Sequence, residues 1–260
     1  MLEKSLDLAK ARVLISNDDG LNAPGVKLLA RVMRPLVREL WIITPETEQS
    51  ASGHSLTLRR PLRVRKVATR RYAVDGTPTD SVLLGINTVL KEKPPDLVLS
   101  GINRGANLGE DVTYSGTVSA AMEATLLGFP AIALSQVFAD HRKIDWAASE
   151  HHTADVVRRL VARPWPRYVL MNVNIPNVPA AEVTGIEATS QGRRKIGGTL
   201  SERLDPRGEP YYWIGSQRSQ TTYPKGTDLE AVARGAIAVT PISLELTHQA
   251  TLKALRKVLD

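Results

Sequence analysis

Short, wholly apolar runs alternate with amphipathic stretches along most of this chain. Val13, Leu14 and Ile15 are continuous apolar residues, the pattern of a strand buried on both faces in a parallel sheet. Beyond Gly20, Asn22 reads as an N-cap and Pro24 as a first-turn residue, with Val26, Leu29, Ala30, Met33 and Val37 at helical spacing. Leu40 to Thr44, Leu97 to Ser100, Ala131 to Ser135 and Tyr168 to Val173 repeat the strand pattern. Between them, Val82 to Leu90 with Thr79 as cap, the alanine-rich run after Thr117, and Ile144 to Ala162 read as helices. This βαβα alternation predicts an α/β fold: a doubly wound, Rossmann-like, mostly parallel sheet.

The pattern changes beyond Asn174. Val183 to Thr189 and Pro210 to Ile214 read as strands, separated by GRRKIGGTLSERLDPRGE, in which Asp205-Pro-Arg-Gly208 suits a hairpin turn or exposed arm. A lone hairpin cannot bury itself. Thr227 to Arg234 follows as a capped helix and Ala236 to Thr240 as a strand. Leu252, Leu255, Val258 and Leu259 then give the last helix an apolar side. The expected organisation is one domain over 1–260, with a core of about 12–175 plus 226–247. A C-terminal β-hairpin arm (about 190–215) and a terminal helix (about 248–260) are expected to serve oligomerisation.

Polar residues gather where the strands end. Asp18 and Asp19 follow the first strand, and they converge on one point only if the backbone has left extended geometry, which Gly20 permits. Ser50 lies beyond the second strand, in the loop Glu46 to Ser55, and Asn103 beyond Leu97 to Ser100. Open parallel sheets bind ligands in the crevice beyond the carboxyl ends of their strands. Each feature has a plainer reading: Asn-Asp-Asp-Gly is also a common solvated turn, and Ser50 and His54 also suit an exposed connection. Taken together, Asp18, Asp19, Ser50 and Asn103 are all oxygen donors and form a hard-cation set suited to Mg2+ or Mn2+.

A second stretch, RGANLGEDVTYSGTVSAAMEATLLG, runs a glycine-rich loop into Ser115-Gly116-Thr117 and a helix. Helix N-termini bind phosphate through unpaired N–H groups, Gly116 permits close approach, and Ser115 and Thr117 add hydroxyls. Plain N-capping explains a serine or threonine equally well, though not the long glycine-rich approach. The turn Gly76 to Asp80 carries more polar side chains than a connector needs. Arg59 to Arg71 holds seven cationic residues in thirteen and alternates with Leu62, Val64 and Val67 as an edge hairpin with Tyr72 to Val74. Nucleic-acid binding is one reading of it. The other, preferred here, is a solvated edge, where Lys and Arg guard against aggregation.

Composition narrows the chemistry. A formal net charge of +7 favours anionic partners without choosing among them. There are no cysteines, which excludes disulfides, thiolate nucleophiles and zinc–thiolate sites. The chain has neither a G-x-x-x-x-G-K-[ST] loop nor a G-x-G-x-x-G fingerprint, so NTPase and dinucleotide readings lose their support. A receiver-like signalling domain shares the acidic pair but needs an aspartate and a lysine at later strand ends, where this chain has Ser100-Gly101 and Ser135-Gln136. The start, MLEKSLDLAKA, lacks a signal-peptide core and no apolar run approaches bilayer length, so a cytoplasmic protein with no membrane association is expected.

The chain resembles the SurE family of survival-protein nucleotidases. The resemblance rests on SNDDG with APG at Ser16 to Gly25, QSASGHSLTL at Gln49 to Leu58, and GTPTDSV at Gly76 to Val82. It continues through SGINRGANLGEDVTYSGTVSAAMEA at Ser100 to Ala124 and GTDLEAVARGAIAVTPISLELT at Gly226 to Thr247. It implies Asp18, Asp19, Ser50 and Asn103 as metal ligands; Asp18 and Asp19 are the expected catalytic residues, and Asn17, Ser115, Gly116 and Thr117 the expected phosphate-binding ones. It also implies Mn2+ or Mg2+ as cofactor and nucleoside 5′-monophosphates as substrates, with 3′-monophosphates as a further class. A homodimer or homotetramer built through the C-terminal arm is implied, with no stable nucleic-acid partner. Many members carry an Arg-Asn-Arg type stretch before the metal serine, where this chain has Glu46-Thr47-Glu48-Gln49.

Overall fold

The computed structural model describes residues 4–138, 144–194, 200–214 and 222–259. Strand β1 (Arg12–Ser16) is buried along its whole length. β2 (Glu39–Pro45) and β5 (Leu97–Arg104) pair with it in parallel, one on each side. Chain order and spatial order therefore part company at β1, because the chain turns to one side for β2 and comes back to the other for β5. Such a reversal opens a crevice at the carboxyl ends of the two strands.

The rest of the sheet extends outward from that point. β4 (Arg71–Val74) runs parallel to β2, and β6 (Ala131–Gln136) and β7 (Val169–Ile175) continue in parallel beyond β5. β11 (Ile237–Ser243) lies antiparallel to β7, and the short β8 (Ile186–Ala188) closes that end. At the other end β3 (Val64–Ala68) lies antiparallel to β4. Among the described residues the sheet therefore has nine strands, ordered β3-β4-β2-β1-β5-β6-β7-β11-β8.

Helices cover both faces, as strands apolar on both sides require. Val13 and Ile15 share a cluster with Val26, Leu29 and Met33 of α1 (Pro24–Met33) and with Val156 and Val157 of α4 (Ala147–Val161). Leu14, on the opposite face, joins Val82 of α2 (Pro78–Leu84) and Val118, Ala120 and Ala121 of α3 (Gly116–Leu126). The α/β doubly wound, mostly parallel sheet expected from the sequence is the one observed. No helix of the described residues is long and apolar enough to cross a membrane.

Several local expectations need correction. Ala23, not Asn22, precedes α1, with no side-chain cap, and Asn22 instead accepts from Arg71 Nη2 at 3.1 Å. Thr77, not Thr79, caps α2: its hydroxyl accepts from Asp80 N (3.0 Å) while Asp80 Oδ2 accepts from Thr77 N (2.9 Å), a reciprocal box. β5 runs through a register shift between Ser100 and Asn103, so Asn103 is part of the strand rather than beyond it. The strand expected over Val183 to Thr189 is only Ile186–Ala188, and α4 starts at Ala147 rather than Ile144.

The cationic segment Arg59 to Arg71 contributes the edge strand β3, and several of its charges are neutralised in place. Arg60 and Arg63 reach Asp75 at 3.4 and 3.9 Å, Arg65 pairs with Glu46, and Arg70 lies over the Trp41 ring at 5.8 Å. The arm forms a separate hairpin of β9 (Leu200–Leu204) and β10 (Pro210–Ile214), and 195–199 and 215 of the expected arm lie outside the described residues. α5 (Asp228–Ala233) precedes β11, and α6 (Gln249–Leu259) follows it, with Leu255, Val258 and Leu259 exposed.

Candidate active site

The crevice is built by three loops folded onto the turn after β1. Asn17 is fully buried, and its Nδ2 donates to Gly20 O at 3.0 Å, which closes that turn. Gly20 has a φ of +90°, and a Cβ there would come within 3.0 Å of the Thr47 backbone, so the loop after β2 rests directly on the turn. Gln49 N donates to the Asp18 carbonyl at 2.8 Å, which ties the loop that carries Ser50 to this turn.

The end of β5 reaches the same turn from the other side. Arg104 N donates to Asp19 Oδ2 at 3.2 Å, so Asn103, one residue earlier, lies next to that carboxylate. Asn103 commits its amide nitrogen to Gly105 O at 3.0 Å. Only its oxygen then has lone pairs to offer a ligand.

Helix α3 supplies the third wall, and its role differs from the one its sequence suggests. Thr117 Oγ1 donates to Asp18 Oδ1, and the Thr117 backbone also hydrogen-bonds this carboxylate. The anion at the start of α3 is thus Asp18 itself. A Cβ on Gly116 would lie 2.7 Å from Asp18 Cβ and 3.0 Å from Asp18 Oδ2, so this glycine is what lets the helix close on the aspartate. Ser115 accepts from Val118 N at 3.0 Å and is the N-cap, which occupies an acceptor site on its oxygen but not its hydroxyl proton.

The electrostatics follow from that packing. Asp18 is only 5% exposed, and burial pushes its pKa from 3.8 up to about 6 against the opposing effect of the Thr117 hydrogen bond, with Asp19 adding repulsion. Burial also raises Asp19, while the Arg104 backbone bond opposes the shift and Glu48 adds to it. Ser50 Oγ donates to Glu48 Oε1 at 2.6 Å. Two neighbouring carboxylates are therefore held where neither ionises easily, and Asn17 Oδ1 is a buried acceptor beside them with no hydrogen-bond partner. Among the described residues no three His, Cys, Asp or Glu side chains cluster as a metal site. The donors are two carboxylates and neutral oxygens, and they fit a hard divalent cation coordinated partly by water.

Side chains outside the expected set hold these loops in place. Asp80 Oδ1 accepts from Thr57 N (3.1 Å) and Oδ2 from Thr57 Oγ1 (2.6 Å), while Thr77 Oγ1 donates to Ser55 O (2.8 Å). His54 is exposed, as expected of a surface histidine, and its Nε2 lies 3.0 Å from Glu123 Oε2 on α3, which docks the loop. Asn107 is held by Asn174 Oδ1, by Ser135 Oγ, and through its carbonyl by the amides of Asn172 and Asn174, all at 2.8–3.0 Å. The alternating Asn172 and Asn174 in an otherwise apolar strand were the available sequence signal, since buried amides need partners.

Burial of Asp18 has a measurable consequence in cation-free protein. The folded chain binds this proton more tightly than the unfolded chain, whose reference value is 3.8. Below about pH 4 both states are protonated and nothing is lost; from there up to pH 6 only the unfolded state ionises, and stability falls. Above pH 6 the full cost, about 3 kcal/mol, is present. In EDTA, Asp18→Asn should therefore melt higher than wild type above pH 6, with the gap closing towards pH 4. A gap constant over that range in thermal melts would exclude this origin.

Comparison with known proteins places the arrangement. Residues 13–198 match the family described as Survival protein SurE. A 5′-nucleotidase SurE from Paramagnetospirillum magneticum is 66% identical over 249 residues, covering 96% of each chain. Its namesake from Rhodospirillum rubrum is 53% identical over 258 residues, 98% of each chain. The crystal structure of a SurE protein from Aquifex aeolicus superimposes with a TM-score of 0.85 at 41% identity, covering 96% of this chain and all of that one. On both sequence and fold, the chain belongs to the SurE family.

Proposed function

We propose that the protein is a divalent-cation-dependent 5′-nucleotidase that releases phosphate from nucleoside 5′-monophosphates. The observation that carries this reading is the pair Asp18 and Asp19, both pushed towards their protonated forms by burial and walled by oxygen donors. A divalent cation relieves that repulsion. The names of the relatives from P. magneticum and R. rubrum support the substrate class.

Asp18, Asp19, Ser50 and Asn103 are the ligands we assign to Mn2+ or Mg2+. When bound, such a cation supplies positive charge against the phosphoryl oxygens and lowers the pKa of water at the site. Thr117 holds Asp18 Oδ1 and Arg104 N holds Asp19 Oδ2, so both carboxylates meet the ligand without reorganising. With Asp18 engaged by α3, Asp19 is the carboxylate that takes the proton of the attacking water. The Ser115 hydroxyl proton and the Gly116 N–H are the donors we assign to the phosphate. Thr117 contributes indirectly, through Asp18. Asn17 shapes the turn with one amide N–H and has a second to give the phosphate.

The reading is tested by phosphate release from a panel of nucleoside monophosphates with Mn2+, with Mg2+ and in EDTA. Activity should vanish in EDTA and return with the cation, and Asp19→Asn should remove most turnover with the fold intact. Full turnover in EDTA would overturn the metal assignment, and no turnover on any nucleotide would overturn the substrate.

Ser115→Ala separates capping from phosphate binding. Loss of the cap costs about 1 kcal/mol of stability. Loss of a phosphate donor should in addition lower kcat/KM by about tenfold, the equivalent of about 1.4 kcal/mol in the transition state. Normal kcat/KM with lowered stability would assign this serine to the helix alone.

We further propose that the β9–β10 arm and α6 serve assembly into a dimer or tetramer. Register pairs Leu200 with Ile214, Leu204 with Pro210 and Glu202 with Tyr212, so one face of the hairpin is apolar apart from Glu202. Leu200, Leu204, Tyr212 and Ile214 are all exposed in the single chain. Two strands alone do not stabilise such a face. Leu200→Glu with Ile214→Glu should lower the mass seen by light scattering, and an unchanged mass would remove the arm from the interface.

A further inference from the structure

On the α1 side of the sheet, behind the turn that carries Asp18 and Asp19, lies a groove of about 530 Å3. Small-molecule sites occupy roughly 300–1,000 Å3, so it is large enough for one organic ligand. Its floor is aliphatic, made by Leu21, Val26, Ala30 and Ile42. The charged residues that line it are all cationic: Lys27, Arg31, Arg34 and Arg71.

These cations are only partly compensated. Arg31 meets Glu150 at 2.9 Å, whereas Lys27 and Arg34 make no ion pair among the described residues. Arg71 donates through Nη2 to Leu21 O at 2.8 Å and Asn22 Oδ1 at 3.1 Å, while its Nε is buried without a hydrogen-bond partner. A buried guanidinium donor without an acceptor is an unusual feature of a folded chain. Here it belongs to a residue lining a cationic groove.

We propose that this groove binds a nucleoside di- or triphosphate, with the base against the aliphatic floor and the phosphates along Lys27, Arg34 and Arg71. Several separated cations suit a chain of phosphates better than a single carboxylate, because each anionic group finds its own partner. Guanidinium groups pair with phosphate oxygens through two parallel bonds. The site is distinct from the strand-end crevice, and it does not depend on the reaction assigned there. Arg71 nevertheless connects the two, since the Leu21–Asn22 segment it holds follows directly on Asp19 and Gly20.

The test is a calorimetric titration of the full chain with ADP in EDTA, for wild type and for Lys27→Glu with Arg34→Glu. Both substituted residues are exposed, so the variant should fold with an unchanged melting temperature. Wild type should bind ADP and the variant at least tenfold more weakly. Hydrogen exchange should show ADP-dependent protection of the segment from Gly20 to Arg34. Absence of binding to wild type, or equal affinity in the variant, would overturn the site. Protection confined to Ser115–Ala120 would place ADP in the crevice and overturn it as well. Binding of decanoate in place of ADP would make the groove an acyl-anion site and refute the nucleotide.

Discussion

Two adjacent carboxylates at the end of a buried strand are the constraint around which this end of the molecule is arranged. Asp18 is drawn out of water by the packing of α3, and the same helix offers the Thr117 hydroxyl and backbone that keep the charged form accessible. Gly116 is the geometric condition for that arrangement, since any side chain there would occupy the space of Asp18. Asp19 depends in turn on β5, whose register shift after Ser100 presents Arg104 N to its carboxylate. A helix start, a strand irregularity and a turn are thus fixed relative to one another by two side chains.

The surrounding loops are held by another class of interaction, in which buried carboxylates and amides accept from backbone N–H groups. Asp80 gathers the chain at Thr57 and Thr77, and Asp228 accepts from Gly109, Gly192 and Leu229 at 2.8–2.9 Å. Asn107 ties the glycine-rich loop to β6 and β7. Loop backbone that leaves the surface must find partners, and polar side chains supply them where no strand is available. Asp228 lies far along the sequence from Gly109, so the C-terminal part of the chain helps to hold the loop that leads into α3. Rigidity there has a functional reading, because preorganised donors need no reorganisation when charge develops.

Much of this was legible in the sequence wherever a single physical rule dominated. The strands β1, β2, β5, β6 and β7 announce themselves because apolar runs buried on both faces have few other uses. That the segments carrying Asp18, Asp19, Ser50 and Asn103 reach one end of the sheet follows from topology, since parallel strands bring their carboxyl ends to one side. Local competition was harder to read. In Gly76-Thr77-Pro78-Thr79-Asp80 two threonines can cap, and the choice falls on Thr77 because Asp80 then sits at the third helical position and completes the box. Asn22 looks like a cap until Arg71, far along the chain, claims its side chain. Gly116 reads as a phosphate-approach glycine, yet its neighbour is Asp18, a contact across 98 positions that no local pattern encodes. The same holds for β9, whose Leu-Ser-Glu-Arg-Leu string has no apolar run and becomes a strand only through its partner β10.

The chain is basic overall, but its charges are sorted in a way that bears on the proposed reaction. The chain carries a formal net charge of +7, whereas the loop over the crevice brings Glu48 near Asp19. A basic surface raises the local concentration of an anionic substrate within about a Debye length, roughly 8 Å at physiological salt. Inside the crevice the balance is mostly negative, and a phosphate dianion meets Asp18, Asp19 and Glu48, with Arg104 as a cation close to Asp19. A divalent cation bound first reconciles steering to the rim with repulsion at the centre. On the proposed reading, cation before nucleotide is therefore the order of binding that this charge distribution favours.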